Sequence, residues 1–142
     1  IVVEQLTICT ADDLQQVADR LKSILSPERN IVLLYGNLGS GKTALVKAFV
    51  RQQLDVSADS PTFSLVNTYQ KEGTQIHHFD LYRLQDATEI EDIGFWDYVD
   101  SEALCFIEWP EKIAELLPDH QCVQIKISLN LNQCREYSLS YS

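Results

Sequence analysis

The period of the apolar positions changes several times along the chain, and each change marks an element. Val3–Cys9 alternates weakly between apolar and polar, as a half-covered strand does. Leu14, Val17, Leu21 and Ile24 then recur at helical spacing; Thr10 and Asp13 form a capping pattern before them and Ser26-Pro27 a stop after them. Ile31–Tyr35 is a continuous apolar run, the mark of a strand covered on both faces. After a glycine-bearing loop, Leu45, Val46, Ala48, Phe49, Val50 and Leu54 cover more than half the circumference of a helix over Lys42–Leu54, which predicts deep burial. Beyond the break at Ser60-Pro61, Thr62–Tyr69 and Gln75–Tyr82 predict two strands joined around Lys71–Thr74. The acidic stretch Asp86–Asp92 predicts a short helix or turn ending at Gly94. Ala103–Ile107 reads as a second buried strand, Pro110–Leu117 as a short helix with proline in its first turn, and Cys122–Leu131 with Glu136–Tyr141 as an antiparallel pair.

Composition narrows the classes. The 142 residues suit one domain over 1–142, with no repeat, linker or low-complexity segment. Lys and Arg number 11 against 21 Asp and Glu, a net charge of −10, which excludes an autonomous DNA or RNA binder because phosphate contacts need a basic stripe. No apolar run approaches the roughly 20 residues of a membrane helix, and no secretory signal opens the chain. The chain starts at Ile1 and holds no Met, which leaves its native start open. Cys9, Cys105, Cys122 and Cys134 are widely spaced, without a Cys-x-x-Cys pair, and three of them lie in strand-like stretches where cysteine acts as a small hydrophobe. A reduced, cytoplasmic protein is expected. His77 and His78 are adjacent, so on a strand they face opposite ways and cannot share a metal.

The chemistry concentrates in Gly36-Asn37-Leu38-Gly39-Ser40-Gly41-Lys42-Thr43, which fits G-x-x-x-x-G-K-[ST] in full, with a buried strand before it and a helix beginning on it. Glycines let successive N–H groups turn inward onto phosphate oxygens, and the helix start adds a positive dipole end. Lys42 supplies a mobile cation for the β and γ phosphates, and the Thr43 hydroxyl can ligate Mg²⁺. The expected architecture is therefore α/β: a P-loop NTPase-like three-layer sandwich with a mostly parallel central sheet and antiparallel edge strands.

Phosphoryl chemistry also needs a carboxylate for the metal shell and a polar group to orient water. Glu108 emerges at the carboxyl end of Ala103–Ile107, where ligands of open α/β sheets bind. Asp80 sits in the strand-like His77–Arg83. The plainer readings are that Glu108 caps the following helix and that Asp80 pairs with Arg83. Thr62 is a candidate switch hydroxyl, or an ordinary threonine between turn and strand. Neither Asn-Lys-x-Asp nor Thr-Lys-x-Asp occurs, so the usual guanine clamp is absent and ATP is preferred by default.

Gly36–Thr43, Ser60-Pro61-Thr62-Phe63, His78-Phe79-Asp80-Leu81-Tyr82-Arg83, the acidic Glu89–Gly94 and Ile107-Glu108-Trp109-Pro110-Glu111-Lys112 together resemble, in order and spacing, the TsaE (YjeE-type) family of small P-loop ATPases in bacterial tRNA threonylcarbamoyladenosine synthesis. The resemblance implies Mg²⁺ ligation by Thr43 and Glu108, and a place for Asp80 near the metal and attacking water. It puts Trp109, Pro110, Glu111 and the late Arg135 along the nucleotide site. Asn37 stands where the family often has Asp. The resemblance further implies ATP hydrolysis in concert with a TsaB–TsaD heterodimer that modifies adenosine 37 of ANN-decoding tRNAs, with tRNA met only through the complex.

Two other readings use the same loop. A small-molecule kinase needs a cationic lid, yet between Lys71 and Lys126 the basic residues are Arg83 and Lys112 alone. A nucleotide-gated adaptor would need binding without turnover. The acidic residues from Asp86 to Glu102, interleaved with Phe95, Trp96 and Tyr98, read as a solvated face first and a protein-contact surface second.

Overall fold

Runs that are apolar on both faces need cover on both, and here they lie at the middle of the sheet. The computed structural model describes residues 1–61 and 65–142. Its strands are β1 (Val2–Ile8), β2 (Ile31–Tyr35), β3 (Val66–Lys71), β4 (Thr74–Asp80), β5 (Leu104–Glu108), β6 (Cys122–Leu129) and β7 (Arg135–Tyr141), in the order β1-β7-β6-β2-β5-β4-β3. The four neighbours β6, β2, β5 and β4 run parallel. The β1–β7, β7–β6 and β4–β3 pairs are antiparallel, so the expected antiparallel edges are present on both sides.

Alternation along β2 splits the interior into two cores. Val32 and Leu34 face α1 (Leu14–Ile24) and α2 (Lys42–Leu54), with Val17, Leu21, Leu45, Phe49 and Phe106 packed among them. Ile31 and Leu33 face the opposite side, against Phe79, Leu81, Ile90, Phe95 and Ile113. That second side is covered by α3 (Thr88–Asp92), α4 (Phe95–Asp100) and short 3₁₀ turns. Helices thus lie on both faces of the sheet. Among the described residues no helix is long and apolar enough to cross a membrane.

Several expectations need correction. The acidic segment is the short helix α3 and ends at Gly94 as its pattern predicts, but Gly94, at φ 75°, also opens a further helix, α4, whose Phe95 and Val99 are buried one helical turn apart. The aromatics there serve the core, Phe79 meeting Phe95 and Tyr98 edge-to-face at 5.1 and 5.4 Å, while Asp86, Glu91, Asp92 and Asp97 stay exposed. Pro110–Leu117 is two 3₁₀ turns rather than a helix, because Ile113 at φ −135° interrupts it. Thr10 caps no backbone; its hydroxyl bonds the Asp13 carboxylate at 3.0 Å, and a 3₁₀ turn over Ala11–Asp13 precedes α1.

The cysteine reading changes most. Cys9 and Cys134 form a disulfide with their Cα atoms 4.3 Å apart, so the expectation of a fully reduced chain fails at this pair. The cause lies in the register: Ile8 stands opposite Arg135, and one further step puts Cys9 opposite Cys134. Cys105 and Cys122 are free and buried, as a small hydrophobe should be. Burial pushes both thiols up to about 12, with nearby Asp119 adding to the effect at Cys122.

Candidate functional site

The loop Gly36–Thr43 leaves the carboxyl end of β2 and runs straight into α2. Its tight turn is closed by the Ser40 N–H donating to the Asn37 carbonyl at 3.0 Å. Two glycines are required sterically. A side chain on Gly36 would collide with Ser40 Oγ and lie 3.1 Å from the Ile127 carbonyl. Gly41 adopts φ 109°, a conformation that disfavours side chains, and Arg135 packs over it with its guanidinium 3.2 Å from where a Cβ would stand. Gly41 also caps α2 without any side-chain acceptor, so the first N–H groups of the helix are offered to the loop's hollow. Ser40 Oγ is buried there with no hydrogen-bond partner among the described residues. A concave run of unused donors fits an anion.

Lys42 is folded inward and nearly buried, 5% exposed. Its Nζ donates to the Gly36 carbonyl and stands 3.6 Å above the centre of the Trp109 ring. Burial pulls its pKa below the usual lysine value, while Glu108, Glu111 and Asp80 pull the other way. Trp109 holds this place through a left-handed backbone (φ 59°), unusual for a bulky residue and typical of a site that the surrounding fold constrains. Its ring leans on Tyr82 at 5.0 Å.

Glu108 ends β5 on the α2 side of the sheet and is 3% exposed. It caps no helix. The Thr43 hydroxyl lies 2.8 Å from Oε2 and 3.1 Å from Oε1, which joins the first turn of α2 to the tip of β5. Ser60 Oγ approaches Thr43 Oγ1 at 3.5 Å. A hydroxyl and a carboxylate side by side are hard oxygen donors of the kind magnesium takes when phosphates complete its shell. Among the described residues no cluster of three or more His, Cys, Asp or Glu could hold a metal without such help.

Asp80 stands beside Glu108 in the β4–β5 register, so both carboxylates reach the carboxyl ends of parallel strands. Its Oδ1 accepts from the Tyr82 N–H at 3.0 Å. Pro110 is buried and Glu111 exposed just beyond Trp109. The loop, Lys42, Thr43, Glu108, Trp109 and Arg135 are thus gathered at one place, with Asp80 next to them. Thr62 lies outside the described residues.

Sequence reasoning gave His78 no role. It is fully buried on β4, with Nε2 2.5 Å from Glu108 Oε2. His77 does face away, its Nδ1 2.8 Å from Thr68 Oγ1 and its ring edge-to-face with Tyr98. The signal available was the period of two: Ile76, His78 and Asp80 share one face, and only Ile76 is apolar.

Fold and site define the class: a mixed α/β protein whose central sheet is mostly parallel and whose candidate site is a glycine loop between a buried strand and a helix, faced by a carboxylate from the next strand. Residues 8–137 match the family model described as "Threonylcarbamoyl adenosine biosynthesis protein TsaE". The chain belongs to the TsaE family. The Haemophilus influenzae tRNA threonylcarbamoyladenosine biosynthesis protein TsaE is 39% identical over 108 residues, 74% of this chain and 67% of that protein. The Bacillus subtilis protein of the same name is 32% identical, over 72% of this chain and 64% of that one. The chain thus aligns with about two thirds of the length of these relatives. The crystal structure of Bacillus subtilis YdiB superposes with a TM-score of 0.74 at 25% identity, covering 98% of this chain and 86% of that one.

Proposed function

We propose that the chain is a magnesium-dependent ATPase of the P-loop type. It acts in tRNA threonylcarbamoyladenosine synthesis beside a TsaB–TsaD complex, and tRNA is contacted by the partners. The observation that carries the reading is the joint between Thr43 and Glu108, 2.8 Å apart at the mouth of a loop whose donors point inward. An acidic chain of net charge −10 suits a subunit that leaves the nucleic acid to others.

Each residue has a definable task. The backbone of Gly36–Thr43 cradles the phosphates, and Lys42 exchanges its Gly36 carbonyl and Trp109 ring for phosphate oxygens. That exchange favours the nucleotide, since a partly desolvated ammonium gains more from an anion than from a ring face. Magnesium, when bound, neutralises phosphate charge, and Thr43 and Glu108 are the residues that would hold it. Asp80, beside Glu108 in the sheet, orients the attacking water in this reading. Arg135 over Gly41 closes the loop's outer wall.

Hydrolysis by such a site is slow until transition-state charge is balanced, and a supplied arginine adds about 10³–10⁵ in rate. Arg51 cannot serve, being at the far end of α2 beside Asp55. Phosphate release is therefore expected to be weak for the chain alone and to rise by at least about a hundredfold with TsaB–TsaD present. Equal, fast rates in both conditions would refute partner dependence, and phosphate appearing on an added metabolite would favour a kinase.

A further inference from the structure

Glu108 has two oxygens, and they are not treated alike. Oε2 lies 2.8 Å from the Thr43 hydroxyl and 2.5 Å from His78 Nε2, whereas Oε1 has the longer 3.1 Å approach of Thr43. A carboxylate oxygen can only accept, so His78 Nε2 carries the hydrogen. We infer that His78 is a positioning residue: its Nε2–H pins Glu108 Oε2 and so presents Oε1 to the cation that accompanies the nucleotide. The inference rests on the proposed function and adds to it a residue that touches neither nucleotide nor cation.

The placement follows from the sheet. Asp80 pairs with Glu108 and His78 with Phe106, so His78 stands one step diagonal to Glu108 on the same face, within reach of its carboxylate. Both side chains are almost wholly buried, at 1% and 4% exposure. Burial bars water from replacing the bond and keeps the carboxylate from turning. A histidine kept for packing alone would be satisfied at both nitrogens, but Nδ1 of His78 is buried without a partner among the described residues. Among the described residues its polar contact is Glu108. Apolar Ile76, two residues earlier on the same face, shows what packing there calls for. Donors behind a ligand commonly change metal affinity or activity by 10–100-fold when removed.

The test is calorimetric binding of a non-hydrolysable ATP analogue, in excess magnesium and again in EDTA, for wild type, His78→Leu and His78→Gln. Wild type is expected to bind more tightly with magnesium. In His78→Leu that magnesium-dependent gain should shrink at least about tenfold while affinity in EDTA stays within about twofold. His78→Gln, whose amide can donate in place of Nε2–H, should recover most of the gain. Should the leucine variant fold poorly, His78→Asn, polar but too short to reach Glu108, replaces it with the same expectation. A leucine or asparagine variant that keeps the full gain, or that loses affinity equally in both buffers, overturns the inference. A wild type that binds no nucleotide defeats the proposed function instead, and this inference with it.

Discussion

Glu108→Gln should lower ATP hydrolysis by about 10²–10³-fold and shrink the magnesium-dependent gain in nucleotide affinity at least about tenfold, while leaving magnesium-free nucleotide binding within a few-fold of wild type. The substitution keeps size and one oxygen acceptor, so β5 and its contacts with Thr43 are retained, and only the negative charge is removed. That charge is the buried anion nearest the Thr43 hydroxyl, in a region where solvent does little to screen it. Losing a preorganised electrostatic group of this kind costs on the order of 3–4 kcal/mol of transition-state stabilisation. Magnesium-free binding is spared because the cradle is main chain from Gly36 to Thr43. Phosphate-release kinetics with TsaB–TsaD present, paired with calorimetry, separate the two effects. Undiminished turnover would show that Glu108 is a structural carboxylate and move the metal's protein ligand elsewhere.

The second large effect concerns stability. Cys9 and Cys134 are separated by 125 positions, so their bond closes nearly the whole chain into one loop. Chain-entropy reasoning assigns a cross-link of that span about 5 kcal/mol against the unfolded state. For a domain of this size, that corresponds to a fall in Tm on the order of 10–20 °C on reduction. Thermal unfolding of wild type with and without a dithiol reductant should show the shift. Cys134→Ser should unfold at the lower temperature and ignore the reductant. Cys105 and Cys122, with thiols raised to about 12, should resist alkylation until the protein unfolds. A wild type indifferent to reductant would contradict the cross-link's role.

The bond matters to the site because it anchors the start of β7, and the next residue is Arg135, packed over Gly41. It was also the feature least legible in the sequence. Pairing of the first strand with the last is non-local, and nothing in the spacing of four scattered cysteines reports it. Where the signal was local and strong, reading was sharp: β2 and α2 have the boundaries their apolar patterns predict, since a covered strand, a glycine loop and a helix start constrain one another. Elements held by tertiary contacts were read less well. Pro110–Leu117 carries an ordinary helical pattern, but Lys112 Nζ is drawn to the Tyr82 and Leu84 carbonyls at 2.9 and 2.8 Å, and the segment breaks into 3₁₀ turns.

The site divides the same way. Gly36–Thr43 could be recognised from spacing alone, because the motif records a main-chain shape. Glu108 and Asp80 could be nominated from their place at strand ends, and the β4–β5 register puts them side by side. The Lys42–Trp109 contact required the left-handed turn at Trp109, which no propensity announces. His78 was hidden by its neighbour: two adjacent histidines suggest a metal, and excluding that drew attention away from what one of them touches alone.

Titration calorimetry of the chain with ATP in saturating magnesium, beside Lys42→Ala, tests the central claim most directly. Saturable heat at one site per chain for wild type, and its loss in the alanine variant, is the predicted result. No heat from wild type with ATP or GTP, or unchanged binding by Lys42→Ala, would contradict it.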